Sequence, residues 1–353
     1  LSMFGEDESK ILYVKDRLGH DLRYALNGEK IRSLGFNNKI GFGHYNRCLS
    51  VAELVENQYE VNFVFSKNKT TNNLFNPIPY PITFINEEIE FLNYLETGNI
   101  IVIDSYDFNE QLQNELNKLD IKLVIIDDLN NMTYDCNAII NHGVLFSEKD
   151  YKHSEKTKFY LGLDYLMVRK EFRDISIAKS QKKSLNKLDN VFICFGGSNQ
   201  EALISKTVNI LSKLEVKKIS ILANNLDLNE LLLHNNESLI IETFENLKPN
   251  AIINLFQNSD FAILPCSTIL LEAFTVGIPI ISGWFVENQK YSLEKFEKMG
   301  LLINLDNFKS ENYDSNLINA INLLKNNLSI VGNQNMHINL QNKNFIKIFD
   351  ELT

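Results

Sequence analysis

A histidine at the mouth of a helix, with glycines just before it, is where chemistry could begin in this chain. Ile40-Gly41-Phe42-Gly43-His44-Tyr45-Asn46-Arg47-Cys48-Leu49 leads into Ser50-Val51-Ala52-Glu53-Leu54-Val55, which should continue as a helix. Glycine lets the backbone turn sharply and lets a ligand approach closely. The first amides of a helix are unpaired donors that attract anions. The same positive end disfavours a charged imidazole, so His44 should stay neutral and able to accept a proton. A general base beside a phosphorylated ligand is one reading. A strand-to-helix turn with a surface histidine is the other.

Two further turns could hold phosphate. Val191-Phe192-Ile193-Cys194-Phe195-Gly196-Gly197-Ser198-Asn199-Gln200-Glu201 reads as a buried strand, a glycine turn and a helix start. That order presents bare backbone amides at a helix end, though many strand-to-helix turns share it. Leu264-Pro265-Cys266-Ser267-Thr268-Ile269-Leu270-Leu271-Glu272 repeats the arrangement. Ser267 or Thr268 could bind an anion there, or only cap the helix, which is worth about 1 kcal/mol. Glu272 lies four residues after Thr268, one turn along the same face. It could accept two ribose hydroxyls, or be a solvated helix residue. Asn288 and Gln289 could read a sugar or base, with ordinary capping as the alternative.

In the first half, Asp104-Ser105-Tyr106 and Asp127-Asp128 follow apolar runs. Acidic residues at strand ends orient bases, bind sugar hydroxyls or cap turns. Tyr106 and Asp127 are the candidate sugar contacts here. No His/Asp/Glu cluster has metal-ligand spacing, so neither a metal nor a cofactor is expected. His142, His153, His234 and His337 stand outside any motif. No Ser-His-Asp signature, Walker loop or G-x-G-x-x-G is present.

These residues need a scaffold. Short apolar runs at 61–66, 99–105, 122–128 and 137–142 alternate with helical segments at 87–96 and 109–119. The second half restarts the pattern, with strands at 191–195, 218–223, 239–243, 261–265 and 279–282. Its helices fall at 201–214, 250–257, 269–274 and 289–298. Such alternation predicts parallel sheets built from strand–helix–strand units. Ligands then sit at the carboxyl ends of the strands. The fold class is α/β, with two Rossmann-like domains facing across a cleft.

With 353 residues, two domains are natural. Residues 1–36 form a leading segment, 37–178 the first α/β domain, 179–189 a polar, basic linker, 190–330 the second α/β domain and 331–353 a C-terminal helix. The helical stretch 337–352 is expected to pack back on the first domain. The formal charge of −10 argues against non-specific nucleic-acid binding but not against a small anion held locally. No apolar run approaches the roughly 20 residues of a membrane span, and no signal pattern is seen. Four well-separated cysteines without a C-x-x-C pair suit buried free thiols in a reducing cytoplasm. A monomer or weak oligomer is expected.

In order, these pieces resemble the UDP-2,4-diacetamido-2,4,6-trideoxy-β-L-altropyranose hydrolases of pseudaminic acid synthesis, similar in fold to GT-B glycosyltransferases of the MurG type. The residues that carry the resemblance are Gly41-Phe42-Gly43-His44 with Arg47-Cys48-Leu49; Val124 to Leu129 with Asp135-Cys136; Leu161 to Tyr165 with Arg169, Glu171 and Phe172; Phe195 to Ser198; Ser267-Thr268 with Glu272; and Asn288-Gln289. The resemblance implies that His44 activates water, which attacks the anomeric carbon with inversion while UDP departs. It implies that Gly196, Gly197, Ser198, Ser267 and Thr268 hold the diphosphate and Glu272 the ribose. Gly41, Gly43, Arg47, Tyr106, Asp127, Asn288 and Gln289 would surround the sugar.

Three features depart from that pattern. The family's Arg-x-Asp segment before the glycine loop is replaced by Lys30-Ile31-Arg32-Ser33-Leu34-Gly35-Phe36. Its glycine-rich approach to Ser-Thr becomes Leu264-Pro265-Cys266. Tyr13 to Asn27, with Lys30-Ile31, instead resembles the carboxyl-terminal region of dTDP-glucose 4,6-dehydratase, without that enzyme's active site. Three functions follow: a UDP-sugar hydrolase, a GT-B-like transferase using a UDP-sugar donor, or a non-catalytic nucleotide-sugar binding or degraded protein.

Overall fold

A computed structural model describes residues 43–66, 80–85, 88–105, 108–177, 188–196, 200–224, 226, 238–326, 330–337 and 342–352. The dehydratase-like start, the replaced segment 30–36 and most of the expected linker lie outside them. The chain divides into two compact units, Leu1–Met167 with Gln341–Thr353, and Val168–Leu340. Sequence placed the division at 179–189. It falls earlier because the helix after Met167 packs within the second unit.

The first unit begins with α1 (Gly43–Val55) and a parallel pair, β1 (Phe63–Ser66) and β2 (Ile82–Ile85). The helix expected at 87–96 is a 3-10 helix, Glu88–Tyr94. Then come β3 (Ile100–Ile103), α2 (Glu110–Leu116), β4 (Lys122–Ile126), β5 (Thr133–Tyr134), β6 (Ala138–Asn141), β7 (Lys152–His153) and β8 (Lys158–Leu161). β3, β4, β6 and β8 form one all-parallel sheet in that order.

Successive strand residues point to opposite faces, and both faces are apolar. Ile100, Val102, Val124, Ile126, Ala138 and Ile140 share a core with Cys48, Val51, Ala52 and Val55 of α1. Ile101, Ile103, Leu123, Ile125 and Ile139 pack with Leu116, Tyr134 and Tyr151 on the other side.

The second unit contains α3 (Lys170–Ile177), β9 (Asn190–Ile193), α4 (Glu201–Leu211), β10 (Lys218–Leu222) and β11 (Ile240–Phe244). It continues through α5 (Pro249–Asn258), β12 (Phe261–Pro265), α6 (Thr268–Val276), β13 (Ile280–Trp284), α7 (Glu287–Lys298), β14 (Ile303–Asn307), α8 (Tyr313–Asn326) and α9 (Ile330–His337). Six parallel strands run in the order β11-β10-β9-β12-β13-β14. Counted within the unit this is 3-2-1-4-5-6, the doubly wound Rossmann order, whose crevice opens where the order reverses, between β9 and β12. α6 ends at Gly277, whose φ of 73° is the left-handed cap that glycine adopts without strain.

α10 (Asn342–Asp350) returns to the first unit. Phe345, Ile348, Phe349 and Leu352, at helical spacing, bury themselves in the core that holds α1. Glu351 just beyond it accepts from Lys158 Nζ and Tyr160 Oη, both at 3.0 Å. The chain's end thereby fixes α1, the helix that carries His44. No helix of the described residues is long and apolar enough to cross a membrane.

Phe349 is 1% exposed. Phe349→Ala should lower the unfolding free energy by about 3–5 kcal/mol in urea denaturation.

Candidate functional site

In the second unit, the switch point brings together the ends of β9 and β12. β9 runs out through Cys194, Phe195 and Gly196, the last at a φ of +93°, a left-handed turn suited to glycine. Gly197 and Ser198 lie outside the described residues. Beyond β12, Ser267 occupies the N-cap of α6 in extended conformation, yet its side chain makes no capping bond. The hydroxyls of Ser267 and Thr268 have no hydrogen-bond partner among the described residues. Of the backbone amides there, Ser267 N–H donates to the Pro265 carbonyl at 2.8 Å and Leu270 N–H to the Ser267 carbonyl at 2.9 Å, which leaves those of Thr268 and Ile269 as the helix's open donors. Partly buried hydroxyls beside bare amides are suited to an anion.

Glu272 sits one turn further along α6 and is 3% exposed. Arg169 holds it in a two-pronged grip, Nε donating to Oε1 at 2.6 Å and an Nη to Oε2 at 2.8 Å. Burial pushes the Glu272 carboxyl up from the usual range, and the Arg169 guanidinium pulls it back. Asn288 and Gln289 lie in the first turn of α7. Gln289 Oε1 accepts from the Phe285 N–H at 2.9 Å, while Asn288 is exposed.

In the first unit the polar residues also gather at the carboxyl edge of the sheet. Asp104 follows β3, Asp127 and Asp128 follow β4, Asn141 ends β6 and His142 follows it. Arg47 of α1 reaches them. Its Nε and Nη2 donate to the two oxygens of Asp104, each at 2.8 Å, and Nη1 donates to Asp128 at 3.0 Å. Cys48 Sγ stands 3.8 Å from Asp104. The guanidinium proposed as a sugar contact is thus engaged by two carboxylates, and it ties α1 to β3 and β4. His44 lies one turn earlier in the backbone of the same helix, beside Gly43. Gly41 and Tyr106 lie outside the described residues.

Asp127 is more heavily committed. It accepts from the N–H groups of Leu129 and Asn130 and from the hydroxyls of Tyr134 at 2.7 Å and Tyr151 at 3.0 Å. Its observed place is a turn hub. Asn141 extends the network by donating to Tyr151 Oη.

Sequence reading passed over two residues. His142, set aside for want of a motif, lies beside the Arg47 cluster. Its Nδ1 accepts from the Met167 N–H at 3.3 Å, which leaves Nε2 carrying the proton and without a partner among the described residues. Burial, then the charge of Arg47, lowers its pKa to about 4. Its position directly after a strand was the available signal. Arg169 stood within the family resemblance without a role, because nothing local links it to a residue 103 positions away.

All four cysteines are free and buried. Burial pushes Cys194 to about 11 and Cys266 to about 12, so neither thiol beside the crevice is a nucleophile at neutral pH. Among the described residues no group of three His, Cys, Asp or Glu is placed to hold a metal ion.

No family model matches the chain. A curated relative, the UDP-2,4-diacetamido-2,4,6-trideoxy-β-L-altropyranose hydrolase of Campylobacter jejuni subsp. jejuni serotype O:2, is 26% identical over 276 residues. That alignment spans 75% of this chain and 94% of the relative. An uncharacterized protein of Methanocaldococcus jannaschii is 23% identical over 275 residues; the match takes in 74% of this chain and only 56% of that protein. Among solved structures, Acinetobacter baumannii MurG superposes with a TM-score of 0.62 at 12% identity, covering 97% of this chain and 99% of MurG. Phytolacca americana UGT2, complexed with UDP-2-fluoro-glucose and pterostilbene, gives a TM-score of 0.56 at 8% identity, covering 98% and 95%. The chain therefore has the α/β, parallel-sheet fold of the GT-B glycosyltransferases and resembles the altropyranose hydrolase in sequence.

Two outcomes follow from the first unit. Arg47→Met removes the guanidinium from the buried Asp104 and should cost about 3–5 kcal/mol in urea denaturation; adding Asp104→Leu should recover most of it. His142 has a folded pKa of about 4 against 6.5 unperturbed, so the unfolded state binds its proton first. Its contribution to stability is full above pH 6.5 and is lost as pH falls toward about 4. His142→Gln keeps an acceptor for the Met167 N–H and should flatten that part of the stability–pH curve.

Proposed function

We propose that this chain is a hydrolase of a UDP-linked deoxy amino sugar, acting in nonulosonic (pseudaminic-type) acid or surface-glycan synthesis. The observation that carries the nucleotide half is the uncommitted helix start after β12. There the hydroxyls of Ser267 and Thr268 have no partner among the described residues, and a buried carboxylate lies one turn on. A diphosphate needs such a place, and a ribose needs such a carboxylate. The hydrolytic half is supported by the altropyranose hydrolase, whose likeness runs over 94% of its length.

In this reading Gly196, Gly197, Ser198, Ser267 and Thr268 hold the diphosphate, and Glu272 the ribose. Gly41, Gly43, Tyr106, Asn288 and Gln289 are assigned to the sugar, while Arg47 and Asp127 act by fixing the loops of the first unit. His44 takes a proton from water as the water oxygen bonds to the anomeric carbon. The bond from that carbon to the diphosphate oxygen breaks, and its electron pair leaves with UDP. The diphosphate gains negative charge in the transition state, where helix amides aimed at it stabilise it more than in the ground state. A histidine at a helix start is held in the neutral form that a base requires.

The fold it shares with MurG favours a second reading, transfer of the sugar to an acceptor other than water. One measurement separates the two: UDP release from UDP-2,4-diacetamido-2,4,6-trideoxy-β-L-altropyranose without acceptor. Release by the wild type, reduced about 100-fold or more by His44→Ala with UDP affinity kept, is the expected result. UDP binding without release would instead favour a transferase or a non-catalytic binder. Equal rates for both proteins would remove His44 from the mechanism.

A further inference from the structure

We propose that Arg169 is the positioning residue for nucleotide recognition, holding the Glu272 carboxylate fixed so that it accepts two vicinal hydroxyls of a ribose. The inference rests on the UDP reading given above and names the side chain that makes its ribose contact possible.

Glu272 is nearly closed off from water, and a carboxylate in that setting must be paired. Arg169 supplies two parallel bonds, one to each oxygen. A carboxylate has about four acceptor sites, so the fork uses one on each oxygen and leaves one on each. Two adjacent acceptors match two adjacent hydroxyls. Arg169 is itself held in place. Its guanidinium lies 5.0 Å from the centroid of the Phe172 ring, and Phe172, wholly buried, meets Phe256 edge-on at 6.4 Å. The order of support runs from Phe256 through Phe172 and Arg169 to Glu272, all within the second unit.

The charges around Glu272 define what Arg169 does. From the segment entering α3 come Arg169 itself and the like charge of Glu171. From the end of β9 comes Cys194, a protonated thiol. α5, which also packs against α6, carries no charged residue. Burial and Glu171 both favour the protonated acid, and Arg169 opposes them. Without Arg169 the carboxyl takes up a proton more readily and becomes a poorer acceptor for two hydroxyls. Lysine keeps the charge but not the planar fork.

The test is calorimetric binding of UDP and of 2′-deoxy-UDP to the wild type, Arg169→Gln and Arg169→Lys. The wild type should prefer UDP about tenfold or more, the scale of one hydrogen bond to a charged group. Arg169→Gln should lose that preference, with the loss falling on UDP and not on the deoxy ligand. Its UDP affinity should also fall more steeply than the wild type's as pH is lowered from about 8 to about 5.5, since protonation of the terminal phosphate of UDP acts on both proteins and only the variant adds protonation of Glu272. Should Arg169→Gln not fold, Arg169→Lys carries the test, and a reduced preference is expected.

An unchanged preference in a folded variant would overturn the proposal and leave the pair a structural clasp. Equal weakening of both ligands would also overturn it, placing Arg169 on the diphosphate. Failure of the wild type to bind UDP at all would overturn the UDP reading together with this one.

Discussion

The first unit is organised around one buried cation. Arg47 satisfies both oxygens of Asp104 and one of Asp128, and these carboxylates close two neighbouring strands of the sheet. Taking such ions out of water is costly, and the cost is offset only when geometry and hydrogen bonding are complete. α1 therefore has one acceptable rotation and height above the sheet edge. α10 enforces the same placement from the apolar side, through Phe345, Ile348 and Phe349. A helix clamped on both sides is what the proposed role of His44 would require, because a displacement of about 1 Å at a reacting centre is expensive in rate. Burial, helped by the charge of Arg47 and opposed by Asp128 and Asp104, keeps His142 neutral, so the edge carries one net pattern of charge over the physiological range.

The two sheet edges use their polar groups differently. At the first, Asp127 spends its acceptors on two backbone amides and two tyrosine hydroxyls, and Arg47 spends its fork on carboxylates. These groups shape loops. At the second, Ser267 stands where a capping serine would bond the helix and does not do so. A helix start that leaves its own hydroxyl unspent forgoes about 1 kcal/mol of capping. A bound anion would recover that stabilisation, which is what the proposed phosphate site asks of this edge.

Much of this architecture was legible because buried parallel strands read as short apolar runs between polar turns. Phe261–Pro265 is such a run, and β12 occupies those same residues. β8 was passed over, since Lys158-Phe159-Tyr160-Leu161 is short and opens on a lysine. α8 was passed over too. Its buried Tyr313, Leu317, Ala320, Ile321 and Leu324 have helical spacing, which was the available signal. The strand-end candidates were legible for the same reason as the strands. Their partnerships were not: Arg47 pairs across 57 positions and Arg169 across 103, distances over which only the folded sheet gives neighbours. Asp127 was read as a sugar ligand because its position is right; its two tyrosines, brought in by the β5–β7 excursion, could not be foreseen from spacing.

The net charge of −10 does not conflict with an anionic ligand, and the reason lies in scale. Exposed carboxylates farther than a Debye length, about 10 Å, are largely screened. What a diphosphate at the β9–β12 crevice would meet is the set of amides at the start of α6 and the half-buried Ser267 and Thr268. These present positive potential without a formal charge. The nearest acidic group in that turn, Glu272, has its charge balanced by Arg169 at hydrogen-bond distance. A lone carboxylate there would repel the phosphates that the helix end attracts. Under the proposed UDP reading, pairing it with a guanidinium would let one short helix serve both halves of a nucleotide, its amides turned to the anion and its carboxylate to the hydroxyls.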